Sequence, residues 1–499
     1  MSTTKTIDIH GRPYNRSAMV MLLLIATFAG VLNQTSLGTA IPTLMKSFDI
    51  NLATAQQATT WFLLANGIMI PVSAYLTTRF STKWLYVSAY AILIAGLLMT
   101  TFAPRDNWNI FLIGRIIQAC AVGITMPLMQ VVMVNIFPAE QRGAAMGLNG
   151  LVVGLAPAIG PTFAGWILKQ DFHLWGYDLT WRAIFIMPLI ILILAFLASP
   201  FIVKDVVPNH PMSLDVLSLI LSIIGFGSFL WGFTNVASDG WGNWETVIFP
   251  ILIGIVVIAL FIWRQLLLET PFLDVRVFKV KQFSVTTAAI ALSMMAMMGV
   301  EMMLPLYLQN VHGLSALDSG LVLLPGALMM GIISPIAGRV YDRVGARRMA
   351  LIGFLVLGIG TVPFIYLTAT TPDHFITLLY AVRMFGIAMI MMPLTASAMS
   401  ALPPHEAAHG TAANNTARQI ASAIVVALLS SVTQNIITNH KPAKALLTTN
   451  PLSYAQKMLD ASLMGFHTSF ALGLGFAIIG FVIAFLLRKG KVIEVEKEL

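Results

Sequence analysis

The chain predicts an all-α integral membrane protein with 14 transmembrane helices, and three observations carry that. Its 499 residues are 58% hydrophobic and only 10% charged, where a soluble domain carries about 25% charged residues. Mean hydropathy is +0.84. The apolar residues also gather into 14 runs, each near or above the ~20 residues a helix needs to cross the hydrocarbon. The remaining length is too short for a soluble domain.

In chain order the runs lie near 17–45, 58–78, 83–103, 109–137, 143–168, 183–203, 214–235, 246–264, 283–309, 316–338, 347–368, 375–401, 410–433 and 464–487. Met1 to Arg16 is polar, and the first run lacks an A-x-A-like site, so no cleavable signal peptide is expected. The single cysteine, Cys120, falls inside the fourth run and excludes an intrachain disulfide. The last outer connection, Thr433 to Ser462, is the longest and leaves room for a short amphipathic helix.

An even number of spans puts both chain ends on one side. With that side taken as the cytoplasm, 19 of the 29 Lys and Arg residues lie on it and seven lie outside. Arg115, Arg383 and Arg418 lie within spans. This bias predicts cytoplasmic termini in a cell membrane. The net charge of +8 then needs no nucleic-acid partner, because a basic cytoplasmic face against anionic lipid accounts for it.

The chain repeats internally. SPIAGRVYDRVGARR follows the tenth span and SAYLTTRFSTKW the second, which aligns Arg343 with Arg79 at an offset of 264. Arg383 aligns with Arg115 at an offset of 268. Two six-helix halves are the expected source. The predicted division is 1–203 for the first bundle, 204–282 for an inserted helix pair with its flanking loops, and 283–499 for the second bundle.

Four segments carry finer signals. Gly338 to Arg348 reads G-x-x-x-D-R-x-G-x-R-R. Its glycines permit a tight turn and close helix approach. Asp342 is suited to pair with guanidinium groups or to cap a helix N-terminus. Gly338, Asp342, Arg343, Gly345 and Arg347 are therefore expected to form a cytoplasmic gating loop. In the fourth span, Arg115 and Gln118 stand in RIIQ, with Gly123 and Pro127 downstream. The fifth span holds Ala156, Gly160, Pro161, Ala164 and Gly165, small residues for close packing and a proline for a bend. The first span ends in LNQTSLGTAIP, Leu32 to Pro42.

Together these segments resemble the major facilitator superfamily, and with 14 spans its EmrB/QacA-type drug–proton antiporters, from about Ser17 to Leu487. The resemblance implies a 6+2+6 helical fold, alternating access and proton-driven export of lipophilic compounds. It also implies proton coupling at Arg115 and an antiporter motif at Gly160, Pro161 and Gly165. No cofactor is expected beyond the proton gradient, no metal, and a monomer in the bilayer. The chain departs from the family pattern as well. Asn33 stands where the first span usually carries an aspartate, and Gly38 replaces the motif's asparagine. In the first half's loop, Ala74, Thr78 and Ser81 replace the leading glycine, the aspartate and the second glycine.

Glu301 is the only acid in the middle of any run. An ionised carboxylate at membrane depth costs about 3 kcal/mol, so one kept there usually handles protons, ions or substrate. Asn33 plus 268 is 301, the offset that links the two arginines. Glu301 is thus the expected proton carrier, with Arg418 and His467 as candidate partners. The predicted substrate cavity comprises Asn33, Gln34, Trp61, Asn66, Gln118, Met298, Tyr307, Gln309, Asn414, Asn415 and Arg418. Methionine and aromatic side chains there would accept varied apolar shapes. A single acid predicts neutral or monocationic cargo. The alternatives are an exporter dedicated to one metabolite or lipid precursor, and a membrane enzyme. The sequence offers neither H-E-x-x-H nor G-x-S-x-G for an enzyme, and no span carries paired carboxylates.

Overall fold

The structure is a computed structural model and describes residues 7–50, 52–138, 141–169, 173–174, 177–179, 181–209, 215–269, 271–403, 406–443 and 450–488. Its helices are α1 (Arg16–Phe48), α2 (Leu52–Arg79), α3 (Thr82–Thr101), α4 (Trp108–Ile136), α5 (Arg142–Lys169) and α6 (Ala183–Ile202). Next come α7 (Val216–Asp239), α8 (Phe249–Leu267), α9 (Lys281–Glu301), α10 (Met303–Asn310) and α11 (Ala316–Val344). The chain ends with α12 (Ala346–Thr361), α13 (Asp373–Ser400), α14 (Ala407–His440) and α15 (Pro451–Ala484). A two-stranded ribbon, β1 (His173–Leu174) with β2 (Tyr177–Asp178), lies in the α5–α6 connection. Among the described residues, 13 helical segments are long and apolar enough to cross a membrane. The 28-residue α5, packed between α1 and α11, completes 14 spans.

Short polar residues start several of these helices. Asn15, Ser81, Asn107, Ser315 and Asn450 each accept a hydrogen bond from the backbone N–H three residues on, at 3.1–3.3 Å. Such side chains satisfy a helix-end donor that has no partner within the helix. The ninth span is broken into α9 and α10 at Met302. Pro305 has no N–H to give to the carbonyl of Glu301, four residues back, so the ladder is interrupted there. The break therefore falls beside the buried acid. On the far side of the membrane, α14 and α15 reach 34 residues each, about 50 Å against a hydrocarbon core of ~30 Å. The long outer connection is thus mostly continued helix, and residues 444–449 lie outside the described ones.

Helices α1–α6 and α9–α15 form two bundles that are built alike. In the first, α3 and α4 approach through Gly96 and Gly114, where a Cβ would lie 2.8–2.9 Å from the facing backbone. In the second, α12 and α13 approach in the same way through Gly353 and Gly386. Close backbone packing of this kind drives association in lipid, where apolar burial alone gains nothing. Between the bundles stand α7 and α8. Helix α7 packs on both α2 and α14, and α8 lies outside it with most of its surface exposed. Phe272 and Leu273 in the connector after α8 are buried against Val72 and Tyr75 of α2 and Ala412 of α14, with Phe272 stacked on Tyr75 at 5.5 Å.

The two bundles meet most extensively along α5 and α11. Gly143, Gly147, Gly150 and Gly154 recur along one face of α5 and let it touch Gly338, Pro335 and Met330 of α11 and Met392 of α13. That seam runs from the face carrying the chain ends, here the terminal face, to mid-membrane. Beyond it α11 turns its Gly320, Leu323 and Ala327 to an open cavity. The glycine seam closes the molecule at the terminal face.

Candidate functional site

A cavity of about 540 Å³ lies between the bundles. The first bundle walls it from α1, α2, α4 and α5, and the second from α9 to α11, α13 and α14. Of the predicted cavity residues, Gln34, Asn66, Met298, Asn415 and Arg418 border it. The two predicted coupling residues, Glu301 and Arg115, border it as well. Phe62, an aromatic the sequence also offers for the wall, stands beside them with Thr59, Tyr380 and Ser422, three residues that were not predicted there.

Glu301 presents its carboxyl at the helix break. Its Oε2 is buried and has no hydrogen-bond partner. The charge that acts on it is Arg383 of α13, with Tyr380 one turn earlier. Neither candidate partner from the sequence takes that place. His467 is bonded through Nε2 to the Leu367 carbonyl at 2.6 Å, and Arg418 lies on another part of the wall, bonded to Asn415. Arg383 itself is held as a fork: Nε donates to Thr361 Oγ1 and Nη2 to the Ala296 carbonyl, both at 2.9 Å. The signal that finds it in the sequence is the repeat, since Asn33 with Arg115 and Glu301 with Arg383 share the offset of 268.

The matching corner of the first bundle is a hydrogen-bonded network. Arg115 donates to Gln118 Oε1 at 2.8 Å and to Asn33 Oδ1 at 3.5 Å. Asn33 donates to the same Gln118 oxygen at 2.8 Å. Gln118 donates to Thr100 Oγ1 at 2.6 Å and the Gly96 carbonyl at 3.0 Å. The Arg115 guanidinium also lies over the Phe62 ring, 4.4 Å from its centroid, an attractive arrangement for a cation. Asn33 and Gln118 thus support Arg115 from behind the cavity rather than lining it.

The charges on the wall do not cancel. Arg115 is 1% exposed, and its Nε has no partner. The Nε of Arg418 is likewise buried and unpartnered, and that side chain's one hydrogen bond is to Asn415 Oδ1 at 3.3 Å. Among the described residues neither arginine has an acidic partner. The acid on the cavity wall, Glu301, lies within the field of a third arginine, Arg383, without an ion pair or hydrogen bond between them.

The other predicted residues fall elsewhere. Trp61 packs on Trp231 of α7, with ring centroids 5.2 Å apart. Tyr307 is buried in a second cluster, its hydroxyl donating to the Thr368 carbonyl at 2.6 Å and lying 3.0 Å from His312, which contacts Asp373 at 2.9 Å. Gln309 is exposed. Asn414 is buried off the cavity with neither amide atom bonded. On α5, Gly160 allows contact with Thr35 and Ser36 of α1, Gly165 is buried, and the side chain of Pro161 lies outside the described ones.

The gating residues lie at the terminal-face end of the seam. Gly338 touches the backbone at Gly143. Asp342 Oδ1 accepts from the Gly143 N–H at 3.2 Å, across the two bundles. A carboxylate of one bundle therefore caps the positive end of α5 in the other. Gly345 joins α11 to α12 with φ +84°, a conformation that favours glycine. Arg347 lies over Phe485 at 5.8 Å, and Arg343 is exposed beside a second cleft. Asn415 seals the same side by donating to Gln130 Oε1 of α4 at 3.0 Å.

Comparison with known proteins agrees with this architecture. The Major Facilitator Superfamily model matches residues 23–426. The MFS-type transporter YcnB of Bacillus subtilis (strain 168), which is uncharacterized, is 42% identical over 482 residues, covering 97% of each chain. The lincomycin resistance protein LmrB of the same organism is 36% identical over 481 residues, 96% of this chain and 97% of that one. The multidrug export protein EmrB of Escherichia coli (strain K12) is 26% identical over 455 residues, 90% of this chain and 86% of that one. With its 14 spans, paired bundles and central cavity, the chain belongs to the Major Facilitator Superfamily of membrane transporters.

Proposed function

We propose that the protein is a proton-coupled antiporter that exports lipophilic small molecules from a bacterial cell by alternating access. One observation carries the reading: Glu301, the lone mid-membrane acid, borders the cavity and at the same time faces Arg383 in the bundle behind it. A carboxyl in that position can exchange a proton with the water of the cavity while its anion is held by the arginine. Cargo and proton then reach one site in turn. The printed names of LmrB and EmrB, a resistance protein and a multidrug exporter, support export of drug-like compounds. The wall of Met294, Met297, Met298 and Met391 supports breadth over a single metabolite, since methionine adapts to varied shapes.

With the terminal face in the cytoplasm, as the basic residues favour, we read this arrangement as facing the outside, with the cytoplasmic side closed by the seam. Separation of α5 from α11 at Gly143, Gly338 and Asp342 would open the other side. The expectation of neutral or monocationic cargo counted Glu301 alone. Arg115 and Arg418 on the same wall weigh against the cationic part.

The test is Glu301→Gln in proteoliposomes. The variant should fold, bind cargo and exchange it at equilibrium, yet lose accumulation driven by a pH gradient. Unchanged pH-driven accumulation would refute the coupling role.

A further inference from the structure

The cavity holds two guanidinium groups that no acidic side chain among the described residues pairs with. Arg115 enters it from α4 and Arg418 from α14. Each keeps a buried Nε without a partner. Where the family pattern supplies an aspartate beside Arg115, this chain has Asn33. Its amide oxygen lies 3.5 Å from Arg115 Nη1 but brings no negative charge. Glu301 does not fill the deficit, because the arginine it acts on is Arg383. Asn66, Asn415, Gln419 and Ser422 add neutral polar groups to the wall.

A buried cation at membrane depth is costly unless it is paired or faces a water-filled cavity. A low-dielectric cleft lined by one sign of charge concentrates ligands of the other sign. Guanidinium donors match a carboxylate in geometry as well as in charge. The Phe62 ring under Arg115 and the methionines opposite supply an apolar seat for the body of such a ligand.

We propose that Arg418 takes the acidic group of the cargo, with Arg115 adding to the positive field of the same cavity, so that lipophilic organic anions, aromatic carboxylates above all, are the preferred class. The inference rests on the reading of the cavity as the export cavity. Proton exchange at Glu301 is compatible with it: the site that takes the proton and the site that takes the anion are different groups on one wall.

The experiment uses three probes with one aromatic body: naphthoate, naphthamide and naphthylmethylammonium. Binding to the purified full-length protein is measured near neutral pH by isothermal titration. Counterflow of each probe is measured in proteoliposomes under a pH gradient. Naphthoate should bind about tenfold or more tighter than the ammonium probe, the gain of one charge-assisted pair. Arg418→Gln should bring the naphthoate-to-naphthamide affinity ratio close to one, and Arg418→Lys should keep part of it. Asn33→Asp, which supplies the missing acid beside Arg115, should also lower the ratio.

Equal or tighter binding of the ammonium probe overturns the subsite. So does a ratio that survives Arg418→Gln, or a wild type that does not bind naphthoate. If naphthamide still moves by counterflow in those cases, export stands and the subsite alone fails. Anion-selective binding without pH-driven movement of any probe would instead support the subsite and overturn the export reading.

Discussion

Replacement of Gly147 by alanine should shift this transporter toward opening at the terminal face. A Cβ on Gly147 would lie 2.5 Å from both Pro335 Cα and the Ser334 carbonyl oxygen, and 3.0 Å from Pro335 N. All three are backbone atoms of α11, so no side-chain rotation relieves the contact. Ordinary van der Waals contact begins near 3.4 Å, so α5 and α11 must part by roughly 1 Å for the methyl to fit. Overpacking of this kind costs about 1–3 kcal/mol. The cost falls on the closed terminal face and is absent once the bundles separate there. The ratio of the two states should therefore move by about 5- to 150-fold. Spin labels at Gln141 and Arg343, both exposed and on opposite sides of the seam, report that separation after Cys120 is replaced by serine. The variant should gain a longer-distance population in double electron–electron resonance. A distribution identical to the Gly147 protein, with the fold intact, would refute the claim that this glycine seam closes the terminal face.

Other perturbations act on neighbouring parts of the same machine. Asp342→Asn removes a negative charge from the N-terminus of α5, worth about 0.3–1 kcal/mol, and should shift the same distances in the same direction by a smaller amount; a shift toward shorter distances would contradict the capping role. Arg383→Lys keeps the charge facing Glu301 but cannot hold both Thr361 and the Ala296 carbonyl, so pH-driven counterflow should fall by about tenfold, and a wild-type rate would rule out a need for the fork. At the start of α7, Arg264 donates to both oxygens of Asp215, at 2.7 and 2.8 Å. The bond to Arg264 holds the Asp215 carboxyl at about 2, below its ordinary 3.8. A lowered value in the folded protein means stabilisation that is complete above about pH 4 and lost as pH falls toward 2. Asp215→Asn should therefore cost about 1 kcal/mol near neutral pH, allowing for partial exposure of the pair. Thermal unfolding of variant and wild type should converge as the pH is lowered below about 4. A gap that widens in acid would refute the assignment.

The spans were legible because bilayer thickness imposes a length that local composition cannot hide. The extents of α14 and α15 were not, because both run past the hydrocarbon through residues of mixed polarity such as Thr438 and Tyr454, where the hydropathy signal fades. Side-chain direction was the harder matter. Trp61 and Phe62 are neighbours in the chain, yet Phe62 lies under Arg115 and Trp61 packs on α7, a choice set by helix rotation that no single-span pattern reveals. Tyr307 and Gln309 follow Glu301 by six and eight residues, yet past the break at Met302 it is Pro305 of α10 that borders the cavity, while Tyr307 is buried beside His312 and Gln309 is exposed. The partner of Glu301 is the instructive case. Judged by residue type alone, Arg418 and His467 were as plausible as any cation. The repeat already held the answer, because an offset that carries Asn33 to Glu301 and Arg115 to Arg383 carries the pairing of the first two to the second two, whose charges act on each other. Read that way, the two corners are one design with the charge moved. In the first bundle the arginine keeps a neutral amide for company and stays available to an anion. In the second it faces the acid. On the function and the subsite proposed above, the asymmetry between Asn33 and Glu301 would divide one pseudosymmetric pair of sites into a corner for cargo charge and a corner for coupling.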